Sequence, residues 1–206
     1  MLSLKNQIYT LEEYLELDHK SEERIEFWDG YVFTLAGANN SHDQIQGNSY
    51  FALRSKLQGK SCRVFLSEMR VKVPEYLPYR YPDLSALCGE AKFEKLGKQE
   101  LLVNPSLIIE ILSDSTADFD RGYKFTYYKS IKSFTEYILI AQDRPHVTQF
   151  VKQDDNSWLN HEFNSIEDTF YLASLDCELA LTELYQDILF PDKPNRFGFD
   201  LISQNE

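Results

Sequence analysis

One carboxylate interrupts the apolar run LIIEIL at residues 107–112, and an ionised, unpaired Glu110 would be costly to bury there. A cation or a metal removes that cost. Asp83, in YPDLSAL, poses the same question: Pro82 fixes its own φ and biases Tyr81 to an extended backbone, which helps set the edge of a strand. Two strand-borne acids can hold a hard divalent cation such as Mg2+, with waters and phosphate oxygens completing the shell. Such a cation lowers the pKa of a bound water and stabilises charge on a phosphorane-like transition state. An ammonium nearby adds a second positive centre, and Lys124 lies on the helix predicted to follow Glu110. Taken singly, each residue has an ordinary reading: a strand acid at an exposed edge or in a salt bridge, a helical lysine in solvent. Only the combination points to chemistry.

Other residues could support these three. Glu26 reads as a third acid near the metal, as an orienter of Lys124, or as half of a surface salt bridge with Arg24 or Lys20. His42, at a helix start, reads as a phosphate contact or proton shuttle, or as a surface histidine of the capping region. Asp118 and Asp120 read as helix caps rather than ligands. Gly30 and Gly37 read as turn residues.

The elements that must position these residues follow from pattern. Thr10 with Glu13 forms a capping box opening a short helix through about Leu17. RIEFWDGYVF at 24–33 carries the Asp-Gly signal of a hairpin. Residues 41–57 repeat apolar and small residues at helical spacing, with Ser41 able to cap the start. Strand-like runs follow at 62–66, 69–73 and 83–88, then a charged, loop-like stretch at 89–104. The continuous run 107–112 has the character of a central strand buried on both faces. A helix is predicted over 121–130, strands at 136–140, 146–151 and 158–163, and a short final helix at 182–189. This order gives an α/β fold with a mixed central sheet. Its length of 206 residues suits a single domain over 1–190 and a tail over 191–206.

The net charge of −12 argues against a broad basic surface for nucleic acid. Charge is uneven, however. Residues 43–80 carry seven Lys/Arg against three acids, 121–133 carry four against none, and 134–206 carry four against fourteen. A polyanion should therefore meet the middle of the chain, through Arg70, Lys72, Arg121 and Lys129, and avoid the C-terminal third. The three cysteines lie far apart in sequence, with no CxxC and no zinc spacing, so no closed disulfide set is expected and a reducing cytoplasm is the simple inference. The N-terminal stretch has no apolar signal core, and no run has the length of a membrane span.

The order Pro82-Asp83, Glu110 within IIEILS, then Asp120-Arg121-x-x-Lys124 followed by Tyr127 or Tyr128, resembles the Uma-two family of bacterial endonucleases in the PD-(D/E)XK superfamily. RIEFWDG at 24–30 is similar to that family's Glu-containing hairpin, SHDQIQGN at 41–48 to its His-led helix, and Glu136-Tyr137-Ile138 to the strand after its lysine helix. The match covers roughly residues 10–190. The resemblance implies a restriction-endonuclease-like fold: a mixed central sheet flanked by helices, with an N-terminal hairpin and a β-rich C-terminal extension. It implies an Mg2+-dependent endonuclease, with Mn2+ able to substitute, that hydrolyses phosphodiesters of DNA. DNA, read as double-stranded, is the expected partner; a homodimer would suit double-strand cutting, since two sites must face two strands, and without a spanning run no membrane partner is expected. Asp83 and Glu110 would hold the metal, and Lys124, Glu26 and His42 would assist. One departure matters: the superfamily's acid-x-Lys places lysine at 112, where this chain has Leu112, so Lys124 must reach the site from the next helix. A second reading is a non-catalytic member of the fold that binds nucleic acid or protein; metal titration separates the two.

Overall fold

The computed structural model describes residues 2–3, 7–28, 30–34, 39–75, 78–97, 99–113 and 117–190. Asp29 of the hairpin signal, Gly37 and the expected tail lie outside these residues.

The chain opens with β1 (Leu2–Ser3) and α1 (Leu11–Lys20). The capping box of α1 forms as expected: Glu13 N donates to Thr10 Oγ1 at 3.2 Å, and Thr10 N donates to Glu13 Oε2 at 2.7 Å. The hairpin of β2 (Ile25–Trp28) and β3 (Tyr31–Thr34) follows. Gly30 takes φ +83° in its turn, and a Cβ there would meet the Ile8 side chain at 2.7 Å. The next helix, α2 (Asn40–Lys56), is capped by Asn39, whose side chain accepts from His42 N at 2.9 Å. Ser41, expected as the cap, lies within the first turn instead.

Next come β4 (Cys62–Leu66), β5 (Arg70–Lys72), β6 (Tyr79–Arg80), β7 (Leu84–Cys88), β8 (Phe93–Leu96), β9 (Gln99–Leu102) and β10 (Leu107–Leu112). A continuous helical segment over 117–128 then comprises α3 (Ala117–Phe119), a π-helical turn (Asp120–Lys124) and α4 (Phe125–Tyr128). The chain continues through β11 (Glu136–Ala141), β12 (Val147–Lys152), β13 (Trp158–Phe163), β14 (Thr169–Leu172) and β15 (Cys177–Ala180) to α5 (Leu181–Leu184).

The central sheet has six strands in the order β13-β12-β11-β10-β7-β4. Only β10 and β11 run parallel in it, so the sheet is mixed. All six residues of β10 are buried, as a strand covered on both faces requires. Alternation sends Ile109 and Ile111 toward α2, with Leu53 and Ile45, and sends Ile108 and Leu112 toward the 117–128 segment, with Phe125 and Tyr128. Glu110 shares the second face.

Three expectations are corrected. The stretch 89–104 is not a loop: β8 and β9 form a hairpin turning through Gly97 at φ +61°, and Leu101 and Leu102 are buried in a second sheet ordered β6-β5-β9-β8. The final helix is the single turn α5, preceded by the unanticipated hairpin β14–β15. Cys62 and Cys88, 26 residues apart, stand opposite each other across β4 and β7 and are bonded, while Cys177 is free and buried. Antiparallel register closes a gap that sequence distance hides, and the inference of a reducing compartment loses the unpaired cysteines it rested on. Among the described residues, no helix is long and apolar enough to cross a membrane.

Candidate active site

The antiparallel register of β7 and β10 pairs Leu84 with Ile109, so Asp83, one residue before β7, arrives beside Glu110. Backbone contacts lock this arrangement. Ile111 N donates to Asp83 Oδ2 at 2.7 Å, and Asp83 N points at Glu110 Oε2 from 3.4 Å. On the α2 side, Gln46 Nε2 donates to the Asp83 carbonyl at 2.8 Å, and His42 Nε2 lies 3.2 Å from Asp83 Oδ2. The first turn of α2 therefore delivers His42 to the same edge.

Glu110 is only 2% exposed, and its other oxygen is engaged from the helical face. Lys124 Nζ lies 3.1 Å from Oε1, and the Tyr128 hydroxyl donates to Oε1 at 2.8 Å. The lysine missing at 112 is thus supplied by the 117–128 segment folding over the sheet. Lys124 also lies 3.1 Å from Asp120 Oδ1, one helical turn back, as an ion pair without hydrogen-bond geometry. Asp120 is not a cap, as the sequence suggested; it begins the π-helical turn and is 2% exposed. Such turns inside helices are frequent at functional sites. Glu26 is buried, with Tyr81 N donating to its Oε1 at 3.0 Å, and its charge is felt at Lys124. The surface salt bridges once open to it go elsewhere, Arg24 to Glu68 and Lys20 to Glu16.

Electrostatics follow from this crowding. Burial, with the charges of Asp120 and Asp83, pushes the Glu110 carboxyl well above the usual carboxylate range, against the pull of Lys124 and Tyr128. Burial would lower Lys124, but Asp120, Glu110 and Glu26 outweigh it and hold the ammonium well above its ordinary value. His42 is raised in the same way, Asp83 overcoming the effect of burial. Burial and the neighbouring acids keep Tyr128 a phenol, and so a donor. Four acids thus face Lys124, His42 and, across Tyr128, the buried Arg80, a site with more acids than bases.

The donor set fits a hard cation. Oε1 of Glu110 is occupied by Lys124 and Tyr128, while Oε2 faces the Asp83 backbone N–H at 3.4 Å, so each residue offers a carboxylate at the same sheet edge. Among the described residues no three or more His, Cys, Asp or Glu side chains group as a cage. Two carboxylates with retained waters suit Mg2+ better than an all-protein site would.

A raised Glu110 pKa has a sign that can be checked. The stability it contributes is fully present below the unfolded glutamate pKa and is lost as pH rises through the folded value. In EDTA, Glu110→Gln should therefore gain stability over the parent as pH rises from acid toward neutral, read from urea midpoints. A gap that shrinks with pH would contradict this charge balance.

The remaining expected residues are not brought together with the acids. Arg70 lies 3.7 Å from buried Asp18 and over the Tyr79 and Tyr81 rings. Lys72 pairs with Glu94. Lys129 sits 4.0 Å over the Phe125 ring and 5.9 Å from that of Trp158, toward the far end of the sheet. Arg121 shares the π-helical turn of Lys124, but its Nη1 donates to Thr148 Oγ1 of β12 at 3.5 Å. Tyr128 and Asp120 were underweighted by sequence reading; the Asp120–Lys124 spacing of four was the available signal.

Comparison with known proteins adds a lineage. A family model, Uma2, described as "Putative restriction endonuclease", matches residues 11–182. The chain belongs to the Uma2 family. The matched stretch contains Glu26, His42, Asp83, Glu110 and Lys124. The uncharacterized Synechocystis sp. protein sll1609 is 35% identical over 159 residues, spanning 77% of this chain and 89% of its own length. A second from that organism, slr1290, is 26% identical over 179 residues, spanning 87% and 92%. Among solved structures, a "putative nuclease belonging to DUF820" from Anabaena variabilis superposes with a TM-score of 0.70 at 20% identity, over 87% of this chain and 99% of that one. That likeness establishes the fold, a nuclease-like mixed sheet with an N-terminal hairpin, and no more. Uma2 membership makes a nuclease-type role the one to weigh against the geometry.

Proposed function

We propose that this Uma2 protein is an Mg2+-dependent nuclease that hydrolyses phosphodiesters of DNA, with Mn2+ able to substitute. The observation that carries the reading is the placement of Asp83, just before β7, beside Glu110 of β10, with Lys124 Nζ 3.1 Å from Glu110 Oε1. Asp83 and Glu110 would hold the cation, which when bound supplies Lewis acidity toward the scissile phosphate and lowers the pKa of the attacking water.

The chain's own residues do the rest. Tyr128 fixes Glu110 Oε1, leaving Oε2 for the shared position. Lys124, held by Glu110 and Asp120, presents an ammonium that orients the attacking water and offsets charge developing on the phosphoryl oxygens. His42, drawn toward its charged form by Asp83, holds that carboxylate and can donate to a phosphate oxygen. Glu26 positions Lys124 through its charge. Arg121, on the same turn as Lys124, is the basic residue proposed to meet a flanking phosphate.

Nicking of supercoiled plasmid tests the reading. The parent should relax it with Mg2+ and not with EDTA, and Asp83→Asn should not relax it under either condition. Binding of DNA with no metal-dependent cleavage would favour a non-catalytic member of the fold.

A further inference from the structure

Alternation along β2 places Glu26 and Trp28 on the same face, so Trp28 lies one step beyond the Lys124 cluster toward the hairpin turn. There it meets rings from the segment that carries Lys124. The Trp28 ring centroid is 5.0 Å from Phe119 and 4.9 Å from Tyr123, and Phe33 of β3 stands 6.2 Å behind it. Unlike the aromatic core around Phe134 and Tyr137, this group is open: Tyr123, the neighbour of Lys124, is 56% exposed, and Trp28 and Phe119 are half-buried. An open aromatic patch beside a buried charged site is a place for a ligand's apolar face.

The charge balance says which ligand. The chain carries −12 overall, and Arg70, Lys72 and Lys129 already have local partners, so phosphate attraction alone gives a weak grip on a polyanion. A base stacked on aromatic rings contributes binding without cationic side chains and without regard to base identity. We propose that Tyr123 and Trp28, backed by Phe119 and Phe33, stack the base next to the phosphate that a cation held by Asp83 and Glu110 would bind. A paired base inside a duplex cannot offer its face, so the favoured substrate has unpaired nucleotides there: single-stranded DNA, or duplex with a flap or gap. The position of the phosphate rests on the nuclease reading; the stacking does not.

The experiment uses the full chain in EDTA, with Trp158→Phe leaving Trp28 as the sole tryptophan, titrated with oligothymidylate of 12 residues and with a blunt hairpin duplex of equal length. The single strand should quench Trp28 fluorescence and bind more tightly than the duplex. Tyr123→Ala should weaken it by roughly 5- to 100-fold, the scale of one stacked base. The salt slope should be unchanged, since no phosphate contact is lost. Tyr123→Phe should restore affinity, and unchanged melting temperatures exclude misfolding. Parent-like binding by Tyr123→Ala, no change in Trp28 emission on saturation, or equal affinity for the duplex would each overturn the proposal. The two readings fail separately. Quenching without cleavage in Mg2+ leaves stacking and removes catalysis, whereas cleavage with parent-like binding by Tyr123→Ala removes stacking alone. A parent that binds no oligonucleotide overturns the stacking, and cleavage in Mg2+ then decides the catalysis by itself.

Discussion

Asp83→Asn and Glu110→Gln are each expected to lower Mg2+-dependent DNA cleavage by more than about 10³-fold, since each removes a charged ligand whose cation is asked to supply several kcal/mol. Neither change should unfold the protein. Asparagine at 83 keeps an oxygen to accept from Ile111 N, and glutamine at 110 keeps one for Tyr128. Lys124 retains Asp120 and Glu26 after Glu110→Gln, so no cation is stranded. Loss of activity with retained or raised stability is the signature of a site that holds unfavourable charge for function. Single-turnover cleavage and urea denaturation on the same preparations measure both. Either variant cutting at the parent's rate would remove Asp83 and Glu110 from the chemistry.

Lys124→Ala should act on both quantities at once. Its ammonium is buried among Glu110, Asp120 and Glu26, and removing it leaves buried carboxylates without their cation. Breaking a buried pair from one side costs about 3–5 kcal/mol. Turnover should fall by roughly 100-fold or more through loss of one electrostatic stabiliser. Lys129→Ala is the control: it gives up a ring contact of about 0.5–1 kcal/mol and no partner carboxylate. Equal effects from the two lysines would mean that the helical segment serves only as a basic surface.

The sequence announced its central strand more clearly than its edges. LIIEIL is β10 over 107–112 because a strand buried on both faces leaves an unbroken apolar run with one conspicuous exception, Glu110. The β8–β9 hairpin was hidden because β8 is largely exposed and its charges read as loop; only Leu101 and Leu102 of β9 are buried. The β14 segment did alternate, exposed and buried from Thr169 to Leu172, but four residues are too few to stand out. At the site, Asp83, Glu110 and Lys124 were legible by type and order. Asp120 was not, since an acid near a helix start serves equally as a cap, and only tertiary packing buries it against Lys124. The basic residues pose a different problem. Charge counts along a segment do not reveal that Asp18 takes Arg70 or that Glu94 takes Lys72.

All of this depends on one cation between two strands. Crystals of the parent and of Asp83→Asn soaked in Mn2+, with data collected near the manganese edge, would locate it directly. The account predicts an anomalous peak between the carboxylates of Asp83 and Glu110 in the parent and none there in the variant. An empty position in the parent, or manganese bound elsewhere with Lys124 still closing over Glu110, would contradict it.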